Sequence, residues 1–119
     1  MVERDLSGIW QSHYEYGDGK QSQHQVNLRQ DGSEIIGTSL PDPSSSKVTL
    51  KLQIDDNVIS GVWHERTSPQ GHYKGREFGG HLQLILDDEA KKMAGKWIGY
   101  NSDKTNINSG KWTLEKIKE

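Results

Sequence analysis

The sequence of 119 residues contains no cysteine. This absence excludes a disulfide framework and a metal site built on thiolates, and it is compatible with a reducing compartment. No apolar run approaches the length of about 18 residues that a transmembrane helix needs, and no signal peptide begins at Met1. The sequence as given therefore predicts a soluble, cytoplasmic protein.

Apolar residues are also scarce, at 30% of the chain, whereas charged residues make up 27% and nearly cancel to a net charge of -2. A disordered chain would carry a larger net charge, so we expect a thin core inside a polar shell. The same balance argues against a general binder of nucleic acids or anionic membranes, which would be basic. The length predicts one domain, residues 1–119.

Sustained helical periodicity is absent, and apolar residues alternate with polar ones instead, as in KVTLKLQI. Such alternation is typical of strands with one buried face, and turns rich in Asp, Asn or Gly separate the strands. The predicted strands are 7–16, 23–29, 35–40, 47–54, 58–66, 80–86, 93–100 and 110–117. Eight antiparallel strands with one apolar face predict an all-β fold, a calycin-like up-and-down β-barrel without edges.

Every tryptophan follows a glycine by two positions, in LSGIW, ISGVW, MAGKW and SGKW. Residues two apart share a strand face, and a glycine leaves room for a neighbouring ring inside a narrow barrel. We therefore expect Trp10, Trp63, Trp97 and Trp112 to fill the barrel interior. In a less favoured alternative, one or two of them also line a ligand site.

The connections after strands one, three, five and seven are long and polar, and they meet at one end of such a barrel. The segment HERTSPQGHYKGREFGGH is locally basic. Cationic side chains suit phosphates, aromatic rings stack on bases, and amides or hydroxyls read base edges. The predicted ligand-binding residues are Arg66, Tyr73, Lys74, Arg76, Tyr14, Tyr100, Asn101 and Thr105. A polar, solvated loop without a ligand explains the same residues.

The sequence gives little indication of catalytic activity. His64 and Glu65 are adjacent in a strand and face opposite sides, which prevents an oriented dyad. A metal site of His64, His72 and His81 lacks a tight ligand spacing, and His13 and His24 are interpreted as surface residues. Nucleophile-elbow, Walker and dinucleotide-binding motifs are absent. We expect no enzyme, no metal and no cofactor.

The sequence resembles a known sensor in three features, namely the Gly-x-Trp strands, the segment GGHLQLILDDEAKKMAGKWIGYNSD and the final SGKWTLEKI strand. That sensor is the β-barrel cyclic-oligonucleotide sensor domain of bacterial antiphage effectors of the CBASS type, which carry two transmembrane helices. The resemblance implies recognition of a cyclic di- or trinucleotide second messenger made by a partner nucleotidyltransferase, and the near-neutral charge predicts no DNA partner. It also implies homo-oligomerisation and damage to the inner membrane.

Such effectors carry membrane helices before the barrel, and the present sequence has none. We therefore expect either an excised domain, whose full-length effector acts at the cytoplasmic face of the inner membrane, or a free-standing relative. Lipocalins and avidins are the competing resemblance, because LSGIWQS is similar to the start of those barrels, and they imply a small apolar ligand. An interior cavity of several hundred Å³ would favour that carrier, whereas a filled barrel with a basic rim would favour the nucleotide sensor.

Overall fold

The fold is an all-β barrel, seen in a computed structural model that describes residues 5–16, 20–40, 46–67, 75–101 and 103–118. Each strand pairs antiparallel with the next, and the last strand pairs with the first, which closes the barrel. The predicted up-and-down barrel is confirmed. The strands are β1 (Gly8–Tyr16), β2 (Lys20–Asp31), β3 (Glu34–Ser39), β4 (Lys47–Asp55), β5 (Val58–Arg66), β6 (Glu77–Leu86), β7 (Lys92–Tyr100) and β8 (Ile107–Lys118). Within these residues, no helix is long and apolar enough to span a membrane.

Three strands begin three residues earlier than the sequence predicts. β2 begins at Lys20, β6 at Glu77 and β8 at Ile107, and the sequence analysis assigns the three added residues of each strand to a loop. The neighbouring strand supplies the backbone partners, for example Tyr16 opposite Lys20 and Tyr100 opposite Ile107. All three extensions lie at the end with the long connections, so the barrel wall is taller there than predicted.

The opposite end of the barrel is closed by tight turns. Gly32, with a φ of 62°, begins the turn between β2 and β3, and Asp56, with a φ of 57°, begins the turn between β4 and β5. Gly and Asp accept this left-handed conformation more readily than most residues. The separation of short turns from long connections therefore follows the prediction.

The tryptophans are interior, as predicted, with exposures between 0% and 8%. Every indole N–H donates a hydrogen bond, which removes the penalty of burying it. The acceptors are Leu6 O for Trp10 at 2.8 Å, Ser12 Oγ for Trp112 at 2.7 Å, Glu15 O for Trp97 at 2.8 Å, and Ile98 O for Trp63 at 3.3 Å.

Two glycines leave space beside these rings, Gly110 of the Gly-x-Trp repeat and Gly99 outside it, whereas at Gly61 and Gly95 of the repeat an added Cβ would meet backbone atoms of the neighbouring strand. A Cβ on Gly99 would lie 2.4 Å from the Trp63 ring, and one on Gly110 would lie 2.9 Å from Trp97 Nε1. Both glycines occupy inward positions, two residues from another inward residue of the same strand. A side chain at either position would therefore displace a tryptophan.

The prediction for His24 was wrong, because the sequence analysis placed this residue on the surface. The side chain is only 8% exposed and stacks on Tyr14, with ring centroids 5.8 Å apart and planes 4° from parallel. His24 shares the inward face of Val26 and Leu28. Extending the two-residue period back from Leu28 and Val26 would have placed His24 inward.

Candidate functional site

A cavity of about 480 Å³ opens at the end of the barrel where the long connections lie; we call it the mouth cavity. Its aromatic and apolar lining consists of Tyr14, Val48, Trp63, Phe78, Trp97, Tyr100 and Trp112. Its polar lining consists of Ser22, Ser46, Glu65, Arg76, Asn101, Asp103 and Asn108. The predicted filling of the barrel by tryptophans therefore does not extend to the mouth, where three of the four line a cavity.

Strand alternation explains the lining. On β5 the inward face continues from Trp63 to Glu65, and on β8 it runs back from Trp112 through Gly110 to Asn108. Ser22, Phe78 and Asn108 lie within the early portions of β2, β6 and β8 that the sequence reads as loop. The taller wall thus builds part of the cavity.

The aromatic rings of the cavity pack edge to face. The Trp63 ring meets the Trp97 ring at 81° with centroids 5.5 Å apart, and it meets the Trp112 ring at 68° and 6.0 Å. Tyr14 lies 5.0 Å from Trp112. Because these contacts and the indole hydrogen bonds fix the rings, the aromatic surface is formed before a ligand arrives.

Glu65 places a carboxylate inside the mouth. The Tyr14 hydroxyl donates a hydrogen bond to Glu65 Oε2 at 2.9 Å, from the opposite side of the barrel. The register neighbours of Glu65 are Val48 on β4 and Phe78 on β6, which are both apolar. A half-buried carboxylate between apolar neighbours is costly to desolvate, so additional donors at this position would stabilise it.

Hydrogen bonds from side chains within the β7–β8 connection fix its conformation. Asn101 Oδ1 accepts hydrogen bonds from the backbone N–H groups of Thr105 and Asn106, at 2.9 and 3.2 Å. The Thr105 hydroxyl donates to Asp103 Oδ1 at 2.6 Å. This hydrogen bond is the main cause that lowers the pKa of Asp103 below its ordinary value. The network fixes Asp103 and Asn101 at the edge of the mouth cavity.

A second, more open depression of about 580 Å³ adjoins the mouth cavity and is lined by Arg76, Glu77, Tyr100, Asp103 and Lys104; we call it the rim groove. Three of its residues also line the mouth cavity. Lys104 Nζ lies 5.5 Å from the centroid of the Tyr100 ring, a cation–π contact. The rim groove therefore carries two cationic side chains, Arg76 and Lys104, and two carboxylates, Glu77 and Asp103.

Four of the eight predicted ligand-binding residues line the mouth cavity, namely Tyr14, Arg76, Tyr100 and Asn101. Thr105 does not line it, and its side chain instead holds the turn through Asp103.

Arg66 is exposed on the outer face of β5, opposite Lys47 and Glu77 in the register, and does not line the cavity. Tyr73 and Lys74 lie outside the described residues.

Sequence reasoning missed several polar residues of the lining, notably Glu65, Asp103 and Asn108. Extending the two-residue period from Trp63 would have placed Glu65 inward, and extending it back from Trp112 would have reached Asn108. No comparable signal marks Asp103, because its position follows from the fold of the β7–β8 connection.

The histidines do not form a metal site in the described part of the chain. His64 and His81 are exposed on the outer face, and His64 Nε2 lies 3.7 Å from Glu77 Oε2. His72 lies outside the described residues, among which no group of three metal-binding side chains occurs. The predicted opposite orientation of His64 and Glu65 is confirmed, because Glu65 faces inward.

No protein-family model matches the chain, and no curated protein matches it significantly. The chemistry of the mouth cavity and the rim groove therefore carries the functional proposal.

Proposed function

We propose that the barrel binds a cyclic di- or trinucleotide, with one base inside the mouth cavity and the phosphates at the rim groove. The observation that carries this proposal is the direct continuity of the two spaces, which share Arg76, Tyr100 and Asp103. The aromatic interior suits the flat heteroaromatic part of such a ligand, and Arg76 and Lys104 suit its anionic part, in a groove that also carries the carboxylates of Glu77 and Asp103.

The mouth cavity has the properties that a base requires. Its volume of about 480 Å³ lies within the range of about 300–1,000 Å³ that is typical of ligand pockets. Phe78 and Tyr100 are the half-buried rings of the lining and offer aromatic surface, and stacking of one base on an aromatic side chain contributes about 1–3 kcal/mol. Polar groups on Glu65 and Asn108 lie in the same lining and suit the hydrogen-bonding edge of a base.

The phosphates would lie at the rim. Arg76 provides a planar guanidinium that can contact two phosphate oxygens, and Lys104 provides a point charge on the other side of Tyr100. Arg66 is no longer part of the proposed phosphate site, because it lies on the outer face of the wall. The cationic contribution of the described residues thus comes from the β5–β6 and β7–β8 connections.

A carrier of a small apolar ligand is the second candidate function, and the cavity volume is the observation that favours it. The lining weighs against it, because Glu65, Arg76 and Asp103 would lose water without gaining hydrogen bonds from an apolar ligand. A cyclic nucleotide offers N–H donors to Glu65 and phosphate oxygens to Arg76, which an apolar ligand does not, and is therefore preferred.

Under this proposal the barrel is a receptor and not an enzyme. Ligand binding would fix the connections around the rim and change which contacts the barrel makes with other copies or domains. The proposal includes the role of sensor domain in an antiphage effector, with a ligand supplied by a partner nucleotidyltransferase.

Isothermal titration with a panel of cyclic di- and trinucleotides tests the proposal. We expect at least one of them to bind, and we expect Arg76→Ala to weaken it by about 10-fold or more, because hydrogen bonds to charged groups contribute about 1.5–3 kcal/mol. Arg66→Ala is the matched control and should change affinity less than about twofold, since surface charges away from the site contribute little.

No binding across the panel at about 100 μM, near the range of nonspecific attraction, would refute the proposal. Tight binding of a fluorescent fatty acid under the same conditions would favour the apolar carrier instead.

A further inference from the structure

We infer that Glu65 makes the mouth cavity selective for guanine over adenine. This inference rests on the proposed function, because it assigns the base that enters the cavity. It starts from the placement of a carboxylate where a base edge would lie, between Val48 and Phe78 and opposite Tyr14.

The hydrogen-bond capacity of Glu65 fits a ligand with two adjacent donors. A carboxylate has two oxygens with about four acceptor positions. The Tyr14 hydroxyl uses one position, on Oε2. Oε1 and the remaining position on Oε2 can accept two parallel N–H bonds from one ligand edge.

Tyr14 keeps the carboxylate in this orientation. Its ring is 8% exposed and lies between the rings of His24 and Trp112, at centroid distances of 5.8 and 5.0 Å. The hydroxyl is therefore presented from a fixed ring. Tyr14 acts as a positioning residue for Glu65 in addition to lining the cavity.

Among the nucleobases, guanine has two neighbouring donors on its Watson–Crick edge, the N1–H and the N2 amino group. Adenine presents the N1 lone pair next to its amino group, and this lone pair would face a carboxylate oxygen. A buried site built to hydrogen-bond a donor rejects an analogue that lacks it, since the site's own polar group then loses its partner.

An organic cation is the other class of ligand that a carboxylate among aromatic rings accepts. The charged residues of the lining are Glu65, Asp103 and Arg76, two carboxylates and one cation, so its charge also admits this class. Tryptamine therefore serves as a competing ligand in the experiment.

The test compares the affinities of cyclic di-GMP and cyclic di-AMP by isothermal titration, on the full chain. We expect the wild-type protein to bind cyclic di-GMP about 10-fold or more tightly, the discrimination typical of a good bidentate base contact. Glu65→Gln should reduce this ratio to about one or reverse it, because an amide also pairs with adenine.

Glu115→Gln is the matched control, since Glu115 is an exposed carboxylate on β8, and it should keep the wild-type ratio. Tyr14→Phe should lower the ratio without abolishing binding, which a purely structural role would not produce. Thermal melts of each variant identify any loss of folding.

Equal binding of the two cyclic dinucleotides by the wild type, or a preference for adenine, would overturn the inference while the proposed function stands. The same holds if Glu65→Gln keeps the guanine preference. If neither cyclic dinucleotide nor any other member of the panel binds, the proposed function fails and the inference fails with it. Binding of tryptamine alone would reassign the cavity to organic cations.

Discussion

Gly61 tests the idea that the glycines of the Gly-x-Trp repeat allow close approach between strands. A Cβ at this position would lie 2.0 Å from Lys51 O and 2.8 Å from Leu52 Cα, both backbone atoms of β4. Real Cβ contacts are longer than 3.0 Å. Gly61→Ala therefore requires β4 and β5 to separate by about 1 Å or more, against a ladder that runs the full length of both strands.

The expected cost follows from two terms. Overpacking that shifts backbone costs about 1–3 kcal/mol, and each ladder hydrogen bond that lengthens contributes about 1 kcal/mol. Gly61→Ala should therefore lower the free energy of unfolding by about 3 kcal/mol. Loss of chain entropy in the unfolded state offsets about 0.4–1 kcal/mol of this in any Gly→Ala change.

Gly37→Ala is the matched comparison. There the nearest atom is Leu28 Cδ2 at 2.7 Å, the end of a side chain that can rotate, and the next is Leu50 Cβ at 3.2 Å. We expect a cost of about 1 kcal/mol or less, since side-chain repacking is cheaper than strand separation. Because both changes gain the same unfolded-state term, their difference of about 2 kcal/mol isolates the backbone contact.

Urea unfolding followed by tryptophan fluorescence measures this difference, provided that the slopes of the two variants agree. Equal midpoints, or a Gly61→Ala variant more stable than Gly37→Ala, would show that strand approach does not explain the glycine.

Two further predictions concern the mouth. Ser22→Trp should fill the cavity and abolish binding of the cyclic nucleotide with little change in melting temperature, because Ser22 borders existing space. Gln21→Trp, at an exposed position on the same strand, is the control and should bind normally. Equal loss of binding in both variants would refute a steric block. Thr105→Val should raise the pKa of Asp103 toward its ordinary value, measured by NMR titration, because the Thr105 hydrogen bond lowers it. Because the pKa of Asp103 is lowered in the folded protein, the ionised carboxylate stabilises the turn fully at any pH above the ordinary pKa of aspartate, and this stabilisation is lost as the pH falls through the lowered pKa. An unchanged Asp103 pKa in Thr105→Val would show that the Thr105 hydrogen bond does not lower it.

The sequence by itself determined the architecture. Two-residue alternation, turn residues and the Gly-x-Trp spacing specified eight strands with an inward apolar face, since a strand face is a local property of the chain. The same local rule placed the tryptophans inside and predicted the opposite orientations of His64 and Glu65.

Tertiary structure decided the site. Pairing with a neighbour extended β2, β6 and β8 into residues predicted as loop, because a ladder supplies hydrogen bonds regardless of hydropathy. This extension raised the wall of an open mouth above the tryptophans, and barrel closure brought Tyr14 to Glu65 across 51 positions of sequence. Contacts between strands far apart in sequence depend on barrel closure and register, which no local pattern encodes.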